Sequence, residues 1–414
     1  MRERAEFLVF GQPLIEEADI GEVDSSLRAA WPGTGPKVSE FERLVREYKG
    51  VKHAIAVNSC TAGLHLSCLA LGLRPGDEVI TTPLTFCATV NAVIHAGATP
   101  VLADIDSRTM NIDPTEIRRR ITSRTKALLP VHFAGRPCEM NEIMPLAEQH
   151  GLRVIEDCAH AIETTYHGKQ AGSFGICGVL SFYSTKNVTT GEGGMVLTND
   201  DSIAAWTKVM SQQGMSADAW QRFSASEYRH YEVVEIGFKY NMMDLQAAIG
   251  IHQMRRVMRC WKRREEIWNR YNEAFRELPV GLPPEPKDAT RHALHLYTIL
   301  INSATCGINR DDFILRLRRQ NIGAGVHYRQ IADHRVYQER YGWQPEEWPN
   351  AEAVSRQTAS LPLSAKLSDR DVEDVIDGVW HAIARRRQRR AYSTVPRSAS
   401  ATARKADKKC LSGP

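Results

Sequence analysis

Apolar positions in this chain come in short runs separated by amphipathic stretches, and the alternation is regular between residues 53 and 156. His53–Val57 reads H-A-I-A-V, a buried strand, and Ala62–Leu71 after it reads as helix. Glu78–Thr82 predicts a strand, Thr85–Ala96 a helix, Thr99–Ala103 a strand and Pro114–Ile121 a helix. Lys126–Val131, Met140–His150 and Leu152–Glu156 continue as strand, helix and strand. Short apolar strands joined by helical crossovers predict an α/β fold, with a mostly parallel sheet covered by helices on both faces.

Ahead of this core lie a polar arm, a helix-like stretch from Glu16 to Ala30, and the loop W-P-G-T-G-P-K at 31–37. Two Gly and two Pro in seven residues forbid regular structure there. Val38–Tyr48 reads as an amphipathic helix. After the core, Leu180–Tyr183 and Met195–Thr198 predict strands and a helix follows from Asp200. Residues 214–240 lack periodicity and read as a long functional or interface loop. A single helical pattern then runs from Asp244 to near Leu278, and Leu282–Pro286 breaks the chain. Leu294–Ile301 reads as strand, Arg310–Arg319 as helix, Gly325–Tyr328 as strand or loop, Val354–Ser360 as helix and Asp369–Arg387 as a closing helix. The expected organisation is an arm and helix over 1–50 and a large domain over 51–281 that includes the long helix from about 243. A smaller C-terminal α+β domain over 282–387 and a disordered basic tail over 388–414 complete it.

Charge changes the picture at one end. Residues 385–414 carry ten Lys/Arg and one acid, so the formal net charge of +4 hides a body of −5. Nothing in that body argues for nucleic acid. No apolar run approaches the ~18 residues of a membrane helix, and the first residues are too polar for a secretory signal. The nine cysteines form no C-x-x-C pair, which suits reduced thiols in a cytoplasm and no metal site.

Three places carry candidate chemistry. Asn58-Ser-Cys-Thr61, between a strand and a helix start, offers free backbone N–H groups to an anion, or it is only a capping turn. Asp157 ends the strand Leu152–Glu156, where ligands of parallel sheets collect, or it caps a helix. Lys186 is the one lysine of Val179–Met195, followed by Gly191, Gly193 and Gly194. It is a surface lysine on a hairpin, or a lysine with a lowered pKa ready to bind a carbonyl carbon. Pyridoxal phosphate needs all three: a helix N-terminus for its phosphate, an ionised Asp for its ring nitrogen and a lysine for its aldehyde.

Motifs in order along residues 8–380 then connect these places. They are T-G-P-K (34–37), N-S-C-T-A-G (58–63), G-D-E-V-I-T-T-P (76–83), D-I-D (104–106), T-K-A (125–127), V-H-F-A-G (131–135) and I-E-D-C-A-H-A (155–161). S-F-Y-S-T-K-N (181–187), E-G-G-M (192–195), K-Y-N-M-M-D (239–244), H-L-Y (295–297), G-V-H-Y (325–328) and S-L-P-L (360–363) follow. In these the chain closely resembles the DegT/DnrJ/StrS family of pyridoxal-phosphate sugar-nucleotide aminotransferases, whose fold is the type I fold of such transferases. Its motifs are most similar to the branch that makes UDP-4-amino-4-deoxy-L-arabinose.

The resemblance implies that Lys186 binds the cofactor covalently and that Asp157 meets the pyridinium. It implies His160 against one ring face, where many relatives have Gln, and Phe86 on the other. Cys60 and Thr61 would hold the phosphate with Ser181, and Asn241 would reach it from the partner of a homodimer with a shared site. Thr34, His327 and Tyr328 would border the sugar. Glutamate would give its amino group to the cofactor, and a nucleotide-linked keto sugar would take it. Family dehydratases carry a histidine in place of the lysine, so Lys186 argues against that activity. A third reading is a non-catalytic cofactor-binding regulator whose basic tail touches nucleic acid. In the loop 31–37, Gly33 stands where close relatives often carry a polar residue, which loosens any inference about sugar contacts there.

Overall fold

Seven strands form the central sheet of the computed structural model, which describes residues 4–216 and 232–393. They are β1 (His53–Val57), β2 (Glu78–Thr81), β3 (Thr99–Leu102), β4 (Thr125–Leu129), β5 (Arg153–Asp157), β6 (Cys177–Ser181) and β7 (Gly194–Thr198). Their order is β1-β7-β6-β5-β4-β2-β3. β7 runs against both of its neighbours, and the other pairings are parallel.

Helices α1 (Glu17–Arg28), α2 (Pro36–Lys49), α3 (Cys60–Ala70), α4 (Cys87–His95), α5 (Pro114–Arg120) and α6 (Met140–Gln149) lie close to their predicted spans. α7 (Asp201–Ser211) starts on Asp200, whose side chain accepts from the N–H groups of Ser202 and Ile203. Successive strand residues point to opposite faces, and both faces are buried. Ala54, Ala56, Leu180, Met195 and Leu197 pack with Phe41 of α2, and Val57, Val179 and Val196 pack with Leu64 of α3. A double-sided sheet explains why these strands read as unbroken apolar runs.

The long helix predicted from Asp244 to Leu278 is two helices, α8 (Asp244–Arg255) and α9 (Val257–Phe275). The break is Arg256, at φ −110° and ψ 10°. Its buried guanidinium donates to Asp19 Oδ1 of α1 at 3.0 Å and to the Leu14 carbonyl at 3.1 Å. Further on, β8 (Tyr297–Leu300) pairs antiparallel with β9 (Thr358–Leu361). β8 is shorter than predicted because Leu294 has φ 51°. The helix expected over Val354–Ser360 runs instead from Pro349 to Gln357, and Thr358 onward is strand. Pro362 disfavours helix in the residue before it, which tips this end toward extended chain. The strand expected over Leu180–Tyr183 lies earlier, because the chain turns back at Tyr183, whose carbonyl accepts from the Lys186 N–H at 2.9 Å.

α9, β8 and β9 share one core, through Tyr271, Tyr297 and Leu361, with the helices Arg310–Arg318 and Asp369–Ser393. The last of these passes the predicted end at 387, in a run of Arg, Gln and Ala that favours helix. The rest of the predicted tail, 394–414, lies outside the described residues, as does 217–231 of the predicted long loop. Among the described residues no helix is long and apolar enough to cross a membrane. The eight cysteines described are free.

Candidate active site

A cavity of about 580 Å³ opens where β1, β5 and β6 end. Ser59, Cys60, Thr61, Phe86, Asp157, His160, Ser181, Lys186, His327 and Tyr328 all line it. Of the cofactor and sugar residues that the family resemblance implied, Thr34 and Asn241 do not. They are bonded to each other, Asn241 Nδ2 to Thr34 Oγ1 at 2.7 Å, and Thr34 Oγ1 donates to the Met242 carbonyl at 2.6 Å.

The turn after β1 is a helix start with vacant donors. Ser59 Oγ accepts from the Ala62 N–H at 3.1 Å and the Ser59 carbonyl from the Gly63 N–H. The N–H groups of Cys60 and Thr61 have no acceptor among the described residues, so the positive end of α3 faces the cavity. Gly194 makes room for this turn. A Cβ there would stand 2.5 Å from the carbonyl carbon and oxygen of Ser59 and 2.6 Å from the Cys60 nitrogen.

At the end of β5 two adjacent carboxylates have opposite environments. Glu156 is on the face away from the cavity. It accepts from His132 Nε2 (3.0 Å) and from the N–H groups of Gly172 (2.8 Å), Phe174 (2.7 Å) and Gly175 (2.9 Å). Burial pushes its pKa up, but these donors prevail and hold it below the usual value. Among the described residues the Asp157 carboxylate accepts only from Ala159 N–H (3.0 Å) and Thr89 Oγ1 (2.9 Å), and burial raises its pKa despite both. Among the described residues it has no ion pair. A buried carboxylate in this condition takes a cation readily.

Lys186 sits on the β6–β7 loop. Burial lowers its pKa to about 8, against the pull of Cys60 and Asp157. Its Nζ has no hydrogen bond or ion pair among the described residues. His160 is buried and kept neutral, by burial first and the Lys186 charge second. Its Nδ1 accepts from the Ala134 N–H at 3.2 Å, so its proton is on Nε2 and goes to Tyr328 Oη at 3.1 Å. His327, bonded through Nδ1 to Ser360 Oγ at 2.9 Å, is lowered to about 3 by the same two causes. Phe86 is more than half exposed at the start of α4, facing the cavity mouth.

The chain belongs to the DegT/DnrJ/EryC1/StrS aminotransferase family. The family's sequence pattern matches residues 13–380. It is 47% identical over 380 residues to the spore coat polysaccharide biosynthesis protein SpsC of Bacillus subtilis, covering 92% of this chain and 98% of that one. Among solved structures it is similar to a putative sugar aminotransferase of Streptococcus pneumoniae, 28% identical at TM-score 0.85, over 93% and 99% of the two chains. That protein is known in apo, PLP and PMP forms. Helicobacter pylori PseC, an aminotransferase involved in the biosynthesis of pseudoaminic acid, is 29% identical at TM-score 0.84, over 92% and 100%. The family is one of pyridoxal-phosphate-dependent sugar aminotransferases, and this chain is an enzyme of that class with the type I fold expected from its motifs.

The residues fit that cofactor. An unpartnered amine, a cationless buried carboxylate and vacant helix N–H groups share one cavity, and they match its aldehyde, ring nitrogen and phosphate. Sequence reasoning missed five contributors. Thr89 lies three residues after Phe86 on the same helical face, a spacing that could have exposed it. Asn187 directly follows Lys186. His295 and the arm residues Phe10 and Gly11 reach the cavity only through distant chain segments, with Leu8 tied to Asn321 and Gly323 by backbone bonds of 2.8 and 2.9 Å.

Proposed function

We propose that this enzyme transfers an amino group from L-glutamate to a nucleotide-linked keto sugar, with a UDP-4-keto sugar as the leading acceptor. The observation that carries this reading is the vacant Lys186 amine in one cavity with Asp157 and the α3 N-terminus. When bound, pyridoxal phosphate supplies an aldehyde that holds the amino group and a ring that accepts electrons. Asp157 would stay ionised beside the ring nitrogen and keep it protonated. The Cys60 and Thr61 N–H groups, with the Thr61 and Ser181 hydroxyls, take the phosphate. His160 and Phe86, which both line the cavity, would cover the ring. With a pKa of about 8, Lys186 is partly the free amine near neutral pH. It would hold the cofactor through its Nζ and, as the free amine, would take the proton from the donor's α-carbon.

His327 and Tyr328 border the sugar in this reading. Thr34 and Asn241, bonded to each other outside this cavity, serve the site of a second copy of the chain, Asn241 at its phosphate. Exposed Met243 and Ile236 nearby in sequence support a covered surface there. The names of SpsC and PseC support a role in polysaccharide or amino-sugar synthesis.

The test is the cofactor-loaded protein with glutamate and a panel of 4-keto and 3-keto sugar nucleotides, with products read by mass spectrometry. One added amino group on a UDP-4-keto sugar is expected. A deoxygenated product, or no glutamate-dependent transfer to any panel member, overturns the reading.

A further inference from the structure

Tyr328 lines the same cavity as Lys186, and a chain of partners decides what its hydroxyl can do. The Ala134 N–H donates to His160 Nδ1 at 3.2 Å. A backbone N–H only donates, and burial keeps His160 neutral, so the one ring proton is on Nε2. That nitrogen meets Tyr328 Oη at 3.1 Å, which makes the tyrosine oxygen the acceptor of this bond. The O–H proton of Tyr328 is left over, and no described residue accepts it. Burial first, and the Asp157 charge next, push the phenol well above its usual pKa, so this proton stays in place.

The other polar side chains near Lys186 have different partners. Thr89 Oγ1 gives its proton to Asp157. Asn187 Nδ2 donates to Glu163 Oε2 and to the Ala293 carbonyl, both at 2.9 Å, so its Oδ1 is the atom that meets His295 Nδ1, at 3.0 Å. An amide oxygen only accepts, so His295 carries its proton on Nδ1 and has a lone pair on Nε2. His327 is bonded to a hydroxyl that can donate or accept, so its proton is not fixed. Tyr328 is the member of this group whose partners leave a donor free. It also comes from another part of the chain than the residues assigned to the cofactor in this copy, which stand at the ends of β1, β5 and β6 and at the start of α4. Gly325 ties its segment to Ser360 of β9 by backbone bonds of 3.0 and 2.8 Å, and the His327 ring packs on Phe10 of the arm with centroids 5.3 Å apart.

We propose that Tyr328 donates its O–H to the keto oxygen of the acceptor sugar and stabilises the negative charge that gathers there as the amino group is taken up. This rests on the function proposed above. The ketone carbon gains a bond to the amino nitrogen that glutamate supplied, and its C=O electron pair moves onto the oxygen. The two protons of that nitrogen pass to the oxygen by way of the Lys186 amine, the C–O bond breaks, and the oxygen leaves as water. A preorganised donor aimed at a developing oxyanion acts without giving up its proton, so Tyr328 needs none returned. His160, with its proton fixed by Ala134, positions the phenol oxygen.

The test separates the two halves of the reaction in the cofactor-loaded full-length protein. Saturating L-glutamate bleaches the visible band when the α-proton is removed, before any oxygen is handled. A UDP-linked 4-keto-6-deoxyhexose added to the aminated protein restores the band only after its keto oxygen has left. Tyr328→Phe is expected to slow restoration about 10²–10³-fold, the order for loss of one such donor, and to slow bleaching far less. The resting band should keep its wavelength. Restoration at the wild-type rate, or both steps slowed alike, overturns the proposal. So does a shifted resting band, which assigns the donor to the ring oxygen of the cofactor instead. Should Tyr328→Phe fail to fold, the infrared spectrum of the wild type decides. The C=O stretch of the same sugar, identified by carbon-13 at the keto carbon, should fall in frequency when it binds the loaded protein, and an unmoved stretch overturns the idea. The two levels separate cleanly: if the wild type restores its band with no keto sugar of the panel, the proposed function fails; if it does restore it and Tyr328→Phe matches it, only the role of Tyr328 fails.

Discussion

Burial lowers two lysines of this chain to about 8, Lys49 and Lys186, and they have nothing else in common. Lys49 ends α2 with its ammonium against three acceptors: the Ile162 carbonyl at 3.0 Å, the Ala161 carbonyl at 3.3 Å and Gln170 Oε1 at 3.4 Å. Lys186 has no such partner among the described residues and faces a cavity. Lys49 is a structural cross-link between α2 and the chain after β5. Lys186, in the reading proposed above, is a donor and nucleophile kept vacant for a ligand. A lowered pKa therefore does not distinguish a reactive lysine from a structural one; unfilled hydrogen-bonding capacity at a ligand-sized cavity does.

Removing each lysine in turn separates the two roles most sharply. Lys186→Ala should abolish the visible band of the cofactor-loaded protein and cut amino transfer by about 10⁴-fold, the upper range for a lost acid–base group. Lys49→Met should retain both and lose about 1–3 kcal/mol of stability in urea unfolding, since it strands buried acceptors. Next in size is Asp157→Asn, expected to lower turnover about 10²–10³-fold, the order of removing a preorganised charge partner. An equivalent change at Glu156 should instead appear as lost stability, because its four donors are structural.

The lowered pKa of Lys49 also has a pH signature. The unfolded lysine titrates near 10.5 and folded Lys49 near 8, so between those values the unfolded chain holds a proton that the folded one has released. Stability contributed at this position therefore rises with pH across that window. The difference between wild type and Lys49→Met should grow by up to about 3 kcal/mol from pH 8 to 10.5, measured by denaturant unfolding at each pH. Smaller again is Gly194→Ala. Its Cβ would meet backbone atoms of Ser59 and Cys60, forcing the first turn of α3 to shift. Loss of one charge-assisted bond to the phosphate should weaken cofactor binding about 10- to 100-fold, read by equilibrium dialysis.

Much of the sheet was legible because its strands are local features. His53–Val57 is an apolar run closed by a polar turn, and it is a strand over those same residues. Asp157 was legible for the same reason, since a carboxylate at the end of a buried strand stands out. What the sequence hid was set by partners far along the chain. The break at Arg256 depends on Asp19, some 237 residues away. The strand Thr358–Leu361 exists because Tyr297–Leu300 lies beside it. The burial of Lys49 follows from carbonyls at 161 and 162, and nothing in an amphipathic helix end announces them. His295 shows the limit most clearly. Its motif was visible, but its forced proton position comes from Asn187, Glu163 and Ala293 together.

The most direct measurement is to reduce the cofactor-loaded protein with borohydride, digest it and map the modified lysine by mass spectrometry. The pyridoxyl group should lie on Lys186 and on no other lysine. Label on Lys49, or spread over surface lysines with Lys186 unmodified, would contradict the assignment on which the site is built.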